Sequence, residues 1–469
     1  MNLYVGMEKT PNQTTNIKRN VTAIILAAGK GTRMKSPLPK VLHPVAGQPM
    51  IARIIDACRK AEIQDLRIVV GHGAGLVKTV LESKTVFFYE QKEQFGTADA
   101  VRSADVESLE DDVIILNGDH PLIESEDLAN FVREFRDEKL DIGLVTTKLP
   151  EPGSFGRIVR NAGELYAIVE AKDASAETLK INEINTGIYV LKAQVLKELL
   201  PQIKNENVQK EFYLTDIISL AIENKKKVKT IPGNMRVASG VNSQKELAQA
   251  STHVFRARAE KLMEQGVLII DPNNVYIEET VHVGPGSVIY PGVYLKGKTA
   301  IGSFCLVEPH CFIQDCVIGD SVQIKAGSYL ESSVIQSKCS LGPYARLRPD
   351  TELAEEVHIG NFVEVKKSKL GKKTKAAHLA YIGDAEIGEE CNIGCGTIFV
   401  NYLPNKSKHK TKVGNHAFIG SDVQLVAPLE VGSDTTIGAG SVITKDVPDG
   451  ALAVTRATQV IKENYKPKR

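Results

Sequence analysis

The second half of the chain carries a repeat of six residues, and this repeat restricts the possible fold more than any other feature of the sequence. Apolar residues recur at intervals of six, in runs separated by short shifts of frame, and all 27 positions hold Val, Ile, Leu, Phe or Ala. If apolar residues were distributed at random, an apolar content of 42% would give about 11 apolar residues among these 27 positions. One inward side chain per short strand is typical of a parallel β-helix, whose stacked coils bury a column that no single coil could bury alone. The positions are 283, 289, 295, 301, 307, 313, 318, 324, 330, 335, 341, 347, 353, 359, 365, 370, 376, 382, 387, 393, 399, 413, 419, 425, 431, 437 and 443.

The largest interruption of this repeat lies between Phe399 and Val413, where the sequence reads NYLPNKSKHKTK. Pro404 and the lysine residues predict a solvated loop that leaves the helix. Loops on rigid scaffolds often carry binding or catalytic residues, so this loop is a candidate for function.

The first half of the chain has a different pattern, in which short apolar runs alternate with helix-like stretches such as 48–61, 97–109 and 126–138. This alternation predicts an α/β domain with a Rossmann-like, mainly parallel sheet, which would bind ligands beyond the carboxyl ends of its strands. The expected organisation is a flexible extension at 1–20, the α/β domain at 21–245 and a linker helix at 246–266. An all-β domain, folded as a parallel β-helix and ending in a C-terminal tail, is expected at 267–469.

The composition gives the chain no strong preference for polyanionic or membrane partners. There are 58 Lys and Arg against 57 Asp and Glu, and the lysine-rich segments lack the interleaved aromatics of a nucleic-acid surface. No apolar stretch approaches the roughly 18–20 residues of a membrane span, and the N-terminus lacks the apolar core of a signal peptide. We therefore expect a cytoplasmic protein, with no nucleic-acid or membrane partner, whose seven cysteines are reduced.

The glycine-rich run LAAGKGTRMKSPLPK follows the first apolar strand. Gly29 and Gly31 allow the backbone to approach a ligand closely, and Arg33 and Lys40 add fixed positive charge, so the run predicts a phosphate-binding loop. Met34 stands where the dinucleotide-binding fingerprint would have its third glycine, which argues against that fingerprint.

The same run resembles the signature of sugar-1-phosphate nucleotidyltransferases, L-x-x-G-x-G-[ST]-R followed by Pro-Lys. The resemblance implies attack by a sugar phosphate on the α-phosphorus of UTP, with Mg²⁺ held by Asp119 and by Asn242 of a Gly-Val-Asn segment. Asp119 lies two residues beyond the last residue of the strand VIILN. The resemblance also implies that the nucleotide and the sugar contact Leu26, Ala27, Ala28, Gly29, Gly31, Thr32, Arg33, Lys40, Gln91, Gly96, Thr97, Asn117, Gly118, Gly156, Glu170 and Asn185.

Four segments of the second half, GPYARLRP, NFVEVKKSKLG, KAAHLAYIGD and CNIGCGTIFVNY, resemble the acetyltransferase half of the bifunctional bacterial enzymes that make UDP-N-acetylglucosamine. The resemblance extends from residue 21 to about 460 and implies acetyl transfer from acetyl-coenzyme A to glucosamine-1-phosphate. It also implies a left-handed β-helix, a homotrimer, and an acetyl-transfer site at the subunit boundary. It assigns the catalytic base to His378, glucosamine-1-phosphate binding to Arg346, Lys366, Tyr381 and Asn392, and acetyl-coenzyme A binding to Cys395, Asn401, Tyr402, Ser421, Ala439 and Arg456.

The sequence departs from this family at two points. The family's Asn-Tyr-Asp-Gly loop reads Asn401-Tyr402-Leu403-Pro404 here and is one residue longer, which makes Lys408 the best match for the lysine that follows. Cys395 stands where Ala or Gly is usual. Both departures concern the use of acetyl-coenzyme A.

Two other readings compete with a bifunctional enzyme. A single-activity nucleotidyltransferase with a structural or regulatory β-helix would need neither the histidine of KAAHLAY nor the Asn-Tyr pair. A non-enzymatic binding protein would not need Arg33, Lys40, Asp119 and Asn242 together.

Overall fold

A computed structural model of the protein describes residues 21–466, so the predicted extension at 1–20 lies outside the described residues. The chain divides into two compact units, the first ending at Ser251 and the second beginning at Thr252. The division falls within the helix Gln244–Glu264, which overlaps the predicted linker at 246–266. Within residues 21–466, no helix combines the length and apolar character needed to cross a membrane.

The first unit is built on a mixed sheet of nine strands with the order β11-β7-β10-β6-β1-β4-β5, to which β8 and β9 are added beside β10. β1 is central and parallel to both β4 and β6, whereas β10 is antiparallel to β6 and β7. β2 and β3 form a separate hairpin. The strands are β1 Val21–Ala27, β2 Pro44–Val45, β3 Gln48–Pro49, β4 Asp65–Val70, β5 Phe87–Glu90, β6 Asp112–Asn117, β7 Ile142–Lys148, β8 Arg157–Asn161, β9 Glu164–Val169, β10 Glu183–Lys192 and β11 Val228–Pro232.

Helices cover both faces of this sheet because alternate residues of its strands point to opposite sides. Ile25 packs in one core with α1 and α4, and Ile24 packs in the other with α3, α5 and α6. The helices are α1 Met50–Lys60, α2 Ala74–Val80, α3 Thr97–Arg102, α4 Ser125–Asp137, α5 Ala193–Leu199, α6 Asp216–Glu223 and α7 Gln244–Glu264. Short 3₁₀ turns lie at Thr32–Met34, Lys40–Leu42, Val106–Ser108, Thr178–Lys180, Leu200–Gln202 and Met235–Ala238.

The helix predicted at 97–109 is shorter than expected. α3 ends at Arg102, and Asp105 has a φ of +54°, a left-handed conformation that an α-helix cannot contain. The chain then continues as the 3₁₀ turn Val106–Ser108.

The order of the strands determines where a ligand can enter. The chain passes from β1 to β4 on one side and later returns to β6 on the other, so the loops that follow β1 and β6 diverge at the carboxyl edge of the sheet. Such a switch point is the usual binding crevice of an open α/β sheet. The Gly118 N–H donates to the Leu26 carbonyl at 2.8 Å and joins the two loops there.

The second unit is a parallel β-helix, as the six-residue repeat predicted, and it is left-handed, as the family resemblance implied. Its strands form three parallel sheets of 11, 10 and 9 strands, called here the first, second and third faces, and each strand pairs with its counterpart one coil later. All 27 predicted inward positions are buried, with exposures of 8% or less. This confirms the predicted core.

The strands of the three faces are two to four residues long and are joined by tight corners. The first face contains Leu268–Ile269, Val288–Ile289, Leu306–Val307, Gln323–Ile324, Ser340–Leu341, His358–Asn361, Lys375–His378, Asn392–Ile393, Phe418–Ile419, Thr436–Ile437 and Leu452–Ala453. The second contains Val275–Ile277, Val293–Lys296, Phe312–Gln314, Tyr329–Glu331, Arg346–Leu347, Glu364–Lys366, Tyr381–Gly383, Ile398–Val400, Gln424–Val426 and Val442–Ile443. The third contains His282–Val283, Ala300–Ile301, Val317–Ile318, Ser333–Ile335, Thr351–Leu353, Lys369–Leu370, Ala385–Ile387, Thr411–Val413 and Leu429–Val431.

The interruption of the repeat is a hairpin loop between the strands ending at Val400 and beginning at Thr411. Its base is closed by the His409 N–H, which donates to the Asn401 carbonyl at 3.0 Å. Its tip is closed by the Leu403 N–H, which donates to the Ser407 carbonyl at 3.1 Å. The loop therefore leaves the helix, as the sequence predicted.

Candidate active sites

The glycine-rich loop turns sharply at the carboxyl end of β1. Gly31 has a φ of +61°, and a Cβ on it would lie 2.6 Å from the Cβ of Lys40, so the loop passes too close for a side chain. Apart from Gly29 itself and its two chain neighbours, no residue in 21–466 has an atom within 4 Å of the position that a Cβ on Gly29 would take. Met34 is buried and anchors the 3₁₀ turn, while Arg33 remains exposed. The loop thus presents its backbone and Arg33 to the crevice.

Four residues predicted to handle phosphate and metal lie together at this crevice. The Lys40 ammonium donates to the Asp119 carboxylate and, at 2.6 Å, to the Asn242 side-chain oxygen. Arg33 donates to the same oxygen at 2.7 Å. Burial alone would raise the pKa of Asp119, but the adjacent His120 ring and Lys40 ammonium hold that pKa below its usual value. Asp119 is therefore an anion at neutral pH.

The side chains of Asp119 and Asn242 fit a magnesium site. Both offer hard oxygen donors, and both oxygens are directed at one cation, the Lys40 ammonium. Mg²⁺ in nucleotide sites is usually held by one or two carboxylates together with substrate phosphates, rather than by a closed protein cage. No group of three or more His, Cys, Asp or Glu suited to a metal occurs in residues 21–466.

The segment expected to recognise the base is held by its own hydrogen bonds. Gln91 is buried, and its side-chain amide donates to the Gly96 carbonyl at 3.1 Å and to Asp99 at 2.8 Å. Thr97 begins α3, and its hydroxyl accepts a hydrogen bond from the Leu214 N–H at 2.9 Å. The side chains of Gln91 and Thr97 are thus fixed in place.

The residues expected to hold the sugar also lie together. The Asn185 N–H donates to the Gly156 carbonyl at 2.9 Å, and a Cβ on Gly156 would lie 3.4 Å from the Glu170 carboxylate. Burial, with the neighbouring Asp173 and Asp216 charges, raises the pKa of Glu170. Gly156 thus leaves room beside a carboxylate that can accept hydrogen bonds from hydroxyl groups.

In the second unit, His378 is the last residue of its strand on the first face, and its side chain is exposed. Its Cα pairs in register with Asn361 one coil earlier. Tyr381 begins the next strand of the second face, so His378 and Tyr381 lie on either side of one corner. An imidazole at this position is open to a substrate.

Two cations that the sequence did not assign to the sugar phosphate, Arg348 and Lys408, lie close enough to Lys366 to affect its pKa. The Arg348 guanidinium and then the Lys408 ammonium lower the pKa of Lys366, so these three groups share one area of positive potential. Arg346, which was assigned to the sugar phosphate, lies 4.0 Å from Glu364, and Arg348 forms a closer pair with the same carboxylate at 2.9 Å. The spacing of one coil could have identified Arg348, because Lys366 follows it by 18 residues in the next coil.

The other residues assigned to acetyl transfer lie at two corners of the helix. Asn401 is buried, and its amide donates to the Tyr381 hydroxyl at 3.4 Å and to the Asp384 carboxylate. The Asp422 N–H donates to the Cys395 carbonyl at 2.7 Å, and the Gly440 N–H donates to the Ser421 carbonyl at 2.8 Å. Cys395, Ser421, Ala439 and Arg456 therefore occupy successive coils, and Cys395 is the exposed member of the seven cysteines, all of which lie in the described chain.

Comparison with protein families gives matches to both halves of the chain. The family model described as the MobA-like NTP transferase domain matches residues 23–176. The GMPPB C-terminal domain matches residues 272–370, and the bacterial transferase hexapeptide, in six repeats, matches residues 410–445. The order of these matches follows the order of the two units.

Three curated relatives match both units at once, and each is named Bifunctional protein GlmU. The protein from Bdellovibrio bacteriovorus is 61% identical over 96% of this chain and 98% of its own length. Those from Clostridium acetobutylicum and Carboxydothermus hydrogenoformans are 43% and 46% identical, over 95% and 94% of this chain and 98% and 99% of their own lengths. At this identity and coverage, the chain belongs to the GlmU family of bifunctional enzymes, which combine a uridylyltransferase with a glucosamine-1-phosphate acetyltransferase in the synthesis of UDP-N-acetylglucosamine.

Proposed function

We propose that the two reactions are divided between the two clusters described above. The His378 cluster transfers the acetyl group, and the cluster of Asp119, Asn242, Lys40 and Arg33 transfers the uridylyl group. The observation that carries the proposal is the convergence of the Asp119 and Asn242 oxygens on a single cation at the switch point of the sheet. A β-helix used only for assembly would need neither the exposed His378 nor the area of positive potential around Lys366.

Uridylyl transfer brings two anions together, so the barrier is largely electrostatic and positional. The sugar-phosphate oxygen attacks the α-phosphorus of UTP, and the bond to the pyrophosphate leaving group breaks. Arg33, Lys40 and the loop N–H groups offset the negative charge that accumulates on the phosphates. Asp119 and Asn242 would hold Mg²⁺, which supplies further positive charge to the triphosphate oxygens when bound.

The remaining residues of the first unit position the two substrates. Gln91, Gly96 and Thr97 lie in the segment that we assign to the base, and Gly156, Glu170 and Asn185 form the pocket that we assign to the sugar. The fixed Gln91 amide and the close approach of Asn185 to Gly156 support this division. The remaining residues that we assign to the nucleotide lie in and just before the glycine-rich loop and at the end of β6. They are Leu26, Ala27, Ala28, Gly29, Gly31, Thr32, Asn117 and Gly118.

Acetyl transfer needs a base and a site for a phosphorylated amino sugar. The nitrogen of the sugar's 2-amino group attacks the thioester carbon, and His378 takes a proton from that amino group. The carbon–sulfur bond then breaks to release coenzyme A. Lys366 binds the sugar phosphate with help from Arg348 and Lys408, and Tyr381 and Asn392 bind its polar groups. Acetyl-coenzyme A is bound by Cys395, Asn401, Tyr402, Ser421, Ala439 and Arg456.

We further infer that the β-helix assembles as a homotrimer, and the distribution of its side chains supports this. Tyr344, Phe362 and Leu379 occupy one corner in successive coils, and each is 56% exposed. All three have positive φ, where polar residues or glycine are usual. An exposed apolar row of this kind is typical of an interaction surface, and it ends beside His378.

The third face has the opposite character and supports the same inference. Glu352, Lys369, Glu386, Lys412 and Glu430 follow one another in register, so charges of opposite sign alternate along this face. The pairs Lys369–Glu352 and Lys412–Glu430 each measure 2.9 Å. Charges paired in this way keep a surface solvated, so assembly is expected through the apolar corner instead.

We also place the enzyme in a reducing compartment such as the cytoplasm. All seven cysteines are free, and six of them are buried. Disulfides form and persist in oxidising compartments, whereas free buried thiols are usual in reducing ones.

Two single substitutions test the division of labour. Purified protein is incubated with glucosamine-1-phosphate, acetyl-coenzyme A, UTP and Mg²⁺, while free thiol and pyrophosphate are followed separately. Asp119→Ala should abolish pyrophosphate release and spare thiol release, and His378→Ala should abolish thiol release yet still release pyrophosphate when N-acetylglucosamine-1-phosphate is supplied. Loss of both activities in either variant, or near-normal turnover in both, would contradict the two-site assignment.

A further inference from the structure

The hairpin loop after Val400 carries two residues that we assign to substrates, Tyr402 and Lys408, on one of its faces. These two residues form an antiparallel bridge. Residues that lie directly opposite one another in such a pair project their side chains to the same side, with Cβ atoms about 4.5–5.5 Å apart. Tyr402 and Lys408 are therefore neighbours, and the face that carries them is called here the substrate face.

The opposite face of the hairpin carries three polar side chains that are hydrogen-bonded to one another. Successive residues of a strand point to opposite sides, so Ser407 and His409, which flank Lys408, lie on this face. The Ser407 hydroxyl donates to the Asn405 side-chain oxygen at 2.5 Å, and the same oxygen accepts from the Ser407 N–H at 3.0 Å. The Ser407 hydroxyl also lies 2.7 Å from Nε2 of His409. Asn405, Ser407 and His409 are called here the polar triplet.

The available donors determine the direction of each hydrogen bond in the triplet. The Ser407 N–H can only donate, so the Asn405 atom that it contacts is the carbonyl oxygen. A hydroxyl has a single hydrogen, and Ser407 donates that hydrogen to Asn405. Ser407 must therefore accept from His409, whose Nε2 carries a hydrogen in the imidazolium and in one neutral tautomer. Both side-chain bonds of the triplet thus depend on the Ser407 hydroxyl.

The triplet also contains the residues through which the backbones of the two arms are joined. The His409 N–H donates to the Asn401 carbonyl at 3.0 Å, and the Ser407 carbonyl accepts from the Leu403 N–H at 3.1 Å. Lys408 lies between Ser407 and His409 in the chain. By fixing these two residues relative to each other, the triplet fixes the backbone that presents Lys408 beside Tyr402.

Both arms of the hairpin are attached to the preceding coil of the β-helix. On the outgoing arm, the buried Asn401 amide donates to the Tyr381 hydroxyl at 3.4 Å and to the Asp384 carboxylate. On the returning arm, the Lys410 ammonium donates to Glu386 at 2.9 Å. With its two ends held in this way, the hairpin can change the position of its substrate face only by changing its own shape.

On the basis of the proposed function, we propose that the polar triplet positions the substrate face for acetyl transfer. A hairpin that is closed before binding presents Tyr402 and Lys408 to acetyl-coenzyme A and the sugar phosphate without the entropic cost of ordering a loop. The three residues of the triplet are positioning residues, since they bond to one another on the face opposite the substrates. Loss of the triplet weakens binding of both substrates and leaves the chemical step at His378 little changed.

The first test separates KM from kcat in the full-length protein, with thiol release as the measurement. Ser407→Ala removes both side-chain bonds of the triplet and should raise the KM of acetyl-coenzyme A and of glucosamine-1-phosphate by roughly 10-fold, with kcat changed by less than about twofold. Ser407→Thr keeps the hydroxyl and should restore both KM values. His409→Phe should act like Ser407→Ala, whereas His409→Gln should retain part of the effect, because its amide can still donate to Ser407.

The second test follows the hairpin itself, in the absence of substrates. Backbone amides that leave their hydrogen bonds exchange with solvent, so hydrogen exchange reports the opening of a loop. Ser407→Ala should accelerate exchange in peptides from 401–412 by at least about 10-fold, with the rest of the β-helix unchanged. Ser407→Thr should exchange at the wild-type rate.

Ser337→Ala is the matched control, because it removes a serine hydroxyl that accepts from the Asp320 N–H at 3.1 Å at a corner of an earlier coil. It should change neither KM nor exchange in 401–412, and uridylyl transfer should stay at the wild-type level in every variant. The proposal is overturned if Ser407→Ala leaves KM and exchange unchanged, if it lowers kcat at constant KM, or if Ser337→Ala has the same effects. Absence of thiol release from the wild-type protein would instead refute the proposed function, while the exchange measurement, which needs no substrate, would still decide whether the triplet closes the hairpin.

Discussion

Arg346 and Arg348 flank the buried Leu347, and both guanidinium groups lie on the outer surface of the β-helix. Of these two, Arg348 is the arginine whose charge lowers the pKa of Lys366, which lies in the next coil. We therefore expect Arg348→Ala to lower kcat/KM for glucosamine-1-phosphate by roughly 10-fold or more, because hydrogen bonds to charged groups contribute about 1.5–3 kcal/mol. Initial rates of thiol release at varied sugar phosphate provide the measurement.

Arg346→Ala is the matched control for this prediction. It removes the same group two residues away, where the nearest carboxylate oxygen is 4.0 Å from the guanidinium. It should change kcat/KM by less than about twofold, since exposed ion pairs contribute little. Equal losses of kcat/KM in the two variants would contradict this prediction and would favour the original assignment of sugar-phosphate binding to Arg346.

Glu170, which we assign to the sugar pocket, illustrates how a buried carboxylate can cost stability. Burial and the adjacent Asp173 and Asp216 raise its folded-state pKa, so the folded state disfavours the ionised form. For a carboxyl group shifted in this direction, stability is lost as the pH rises from the unfolded pKa, about 4.3, through the folded one. Glu170→Gln should therefore raise Tm at pH 7, and the gain should disappear near pH 4.

The same substitution should lower uridylyl transfer by roughly 10-fold or more, because the amide is a weaker acceptor for a sugar hydroxyl than the carboxylate. Thermal unfolding at several pH values, alongside pyrophosphate release, checks both effects. A lower Tm at pH 7 would contradict the raised pKa of Glu170. Unchanged uridylyl transfer would contradict its assignment to the sugar pocket.

At the scale of elements, the shifts of frame in the repeat have a common structural cause. The intervals 313–318, 330–335, 365–370 and 382–387 contain five residues instead of six. Each interval crosses the corner between the second and third faces, where Asp315, Ser332, Lys367 and Asp384 have φ values between +42° and +53°. A tighter turn at one corner therefore shortens these coils to 17 residues without moving an inward side chain.

This regularity explains why the core was predictable from the sequence and parts of the sites were not. Each inward residue follows the last by a fixed count, so position in the chain determines burial. The neighbours of Lys366 and Asn401 depend instead on which coil is stacked beside them and on the path of the loop after Val400. Similarly, Asp119 and Asn242 are more than 120 residues apart and meet only because of the strand order and the return of the chain to the crevice.

At the scale of the whole molecule, two activities in two units raise the question of whether either depends on assembly. The first unit contains every residue that we assign to uridylyl transfer, from the loop after β1 to Asn242. In the second unit, the exposed apolar row of Tyr344, Phe362 and Leu379 ends beside His378. If this row is the trimer interface, only acetyl transfer should require assembly.

Phe362→Asp tests this dependence while sparing the fold. Phe362 has a φ of +56°, a conformation that Asp adopts more readily than Phe, so the corner should keep its shape. Charges placed in the apolar row should shift sedimentation from trimer to monomer and reduce acetyl transfer by at least about 10-fold, with uridylyl transfer unchanged.

Phe304→Asp is a close control, because Phe304 is 71% exposed, has a φ of +59°, and lies at a different corner. It should remain trimeric and fully active. Acetyl transfer by Phe362→Asp should also recover as protein concentration rises, since mass action restores the assembled state. If Phe362→Asp is monomeric but retains full acetyl transfer, the second unit completes its acetyl-transfer site alone. If Phe362→Asp remains trimeric, the interface lies on another surface of the β-helix.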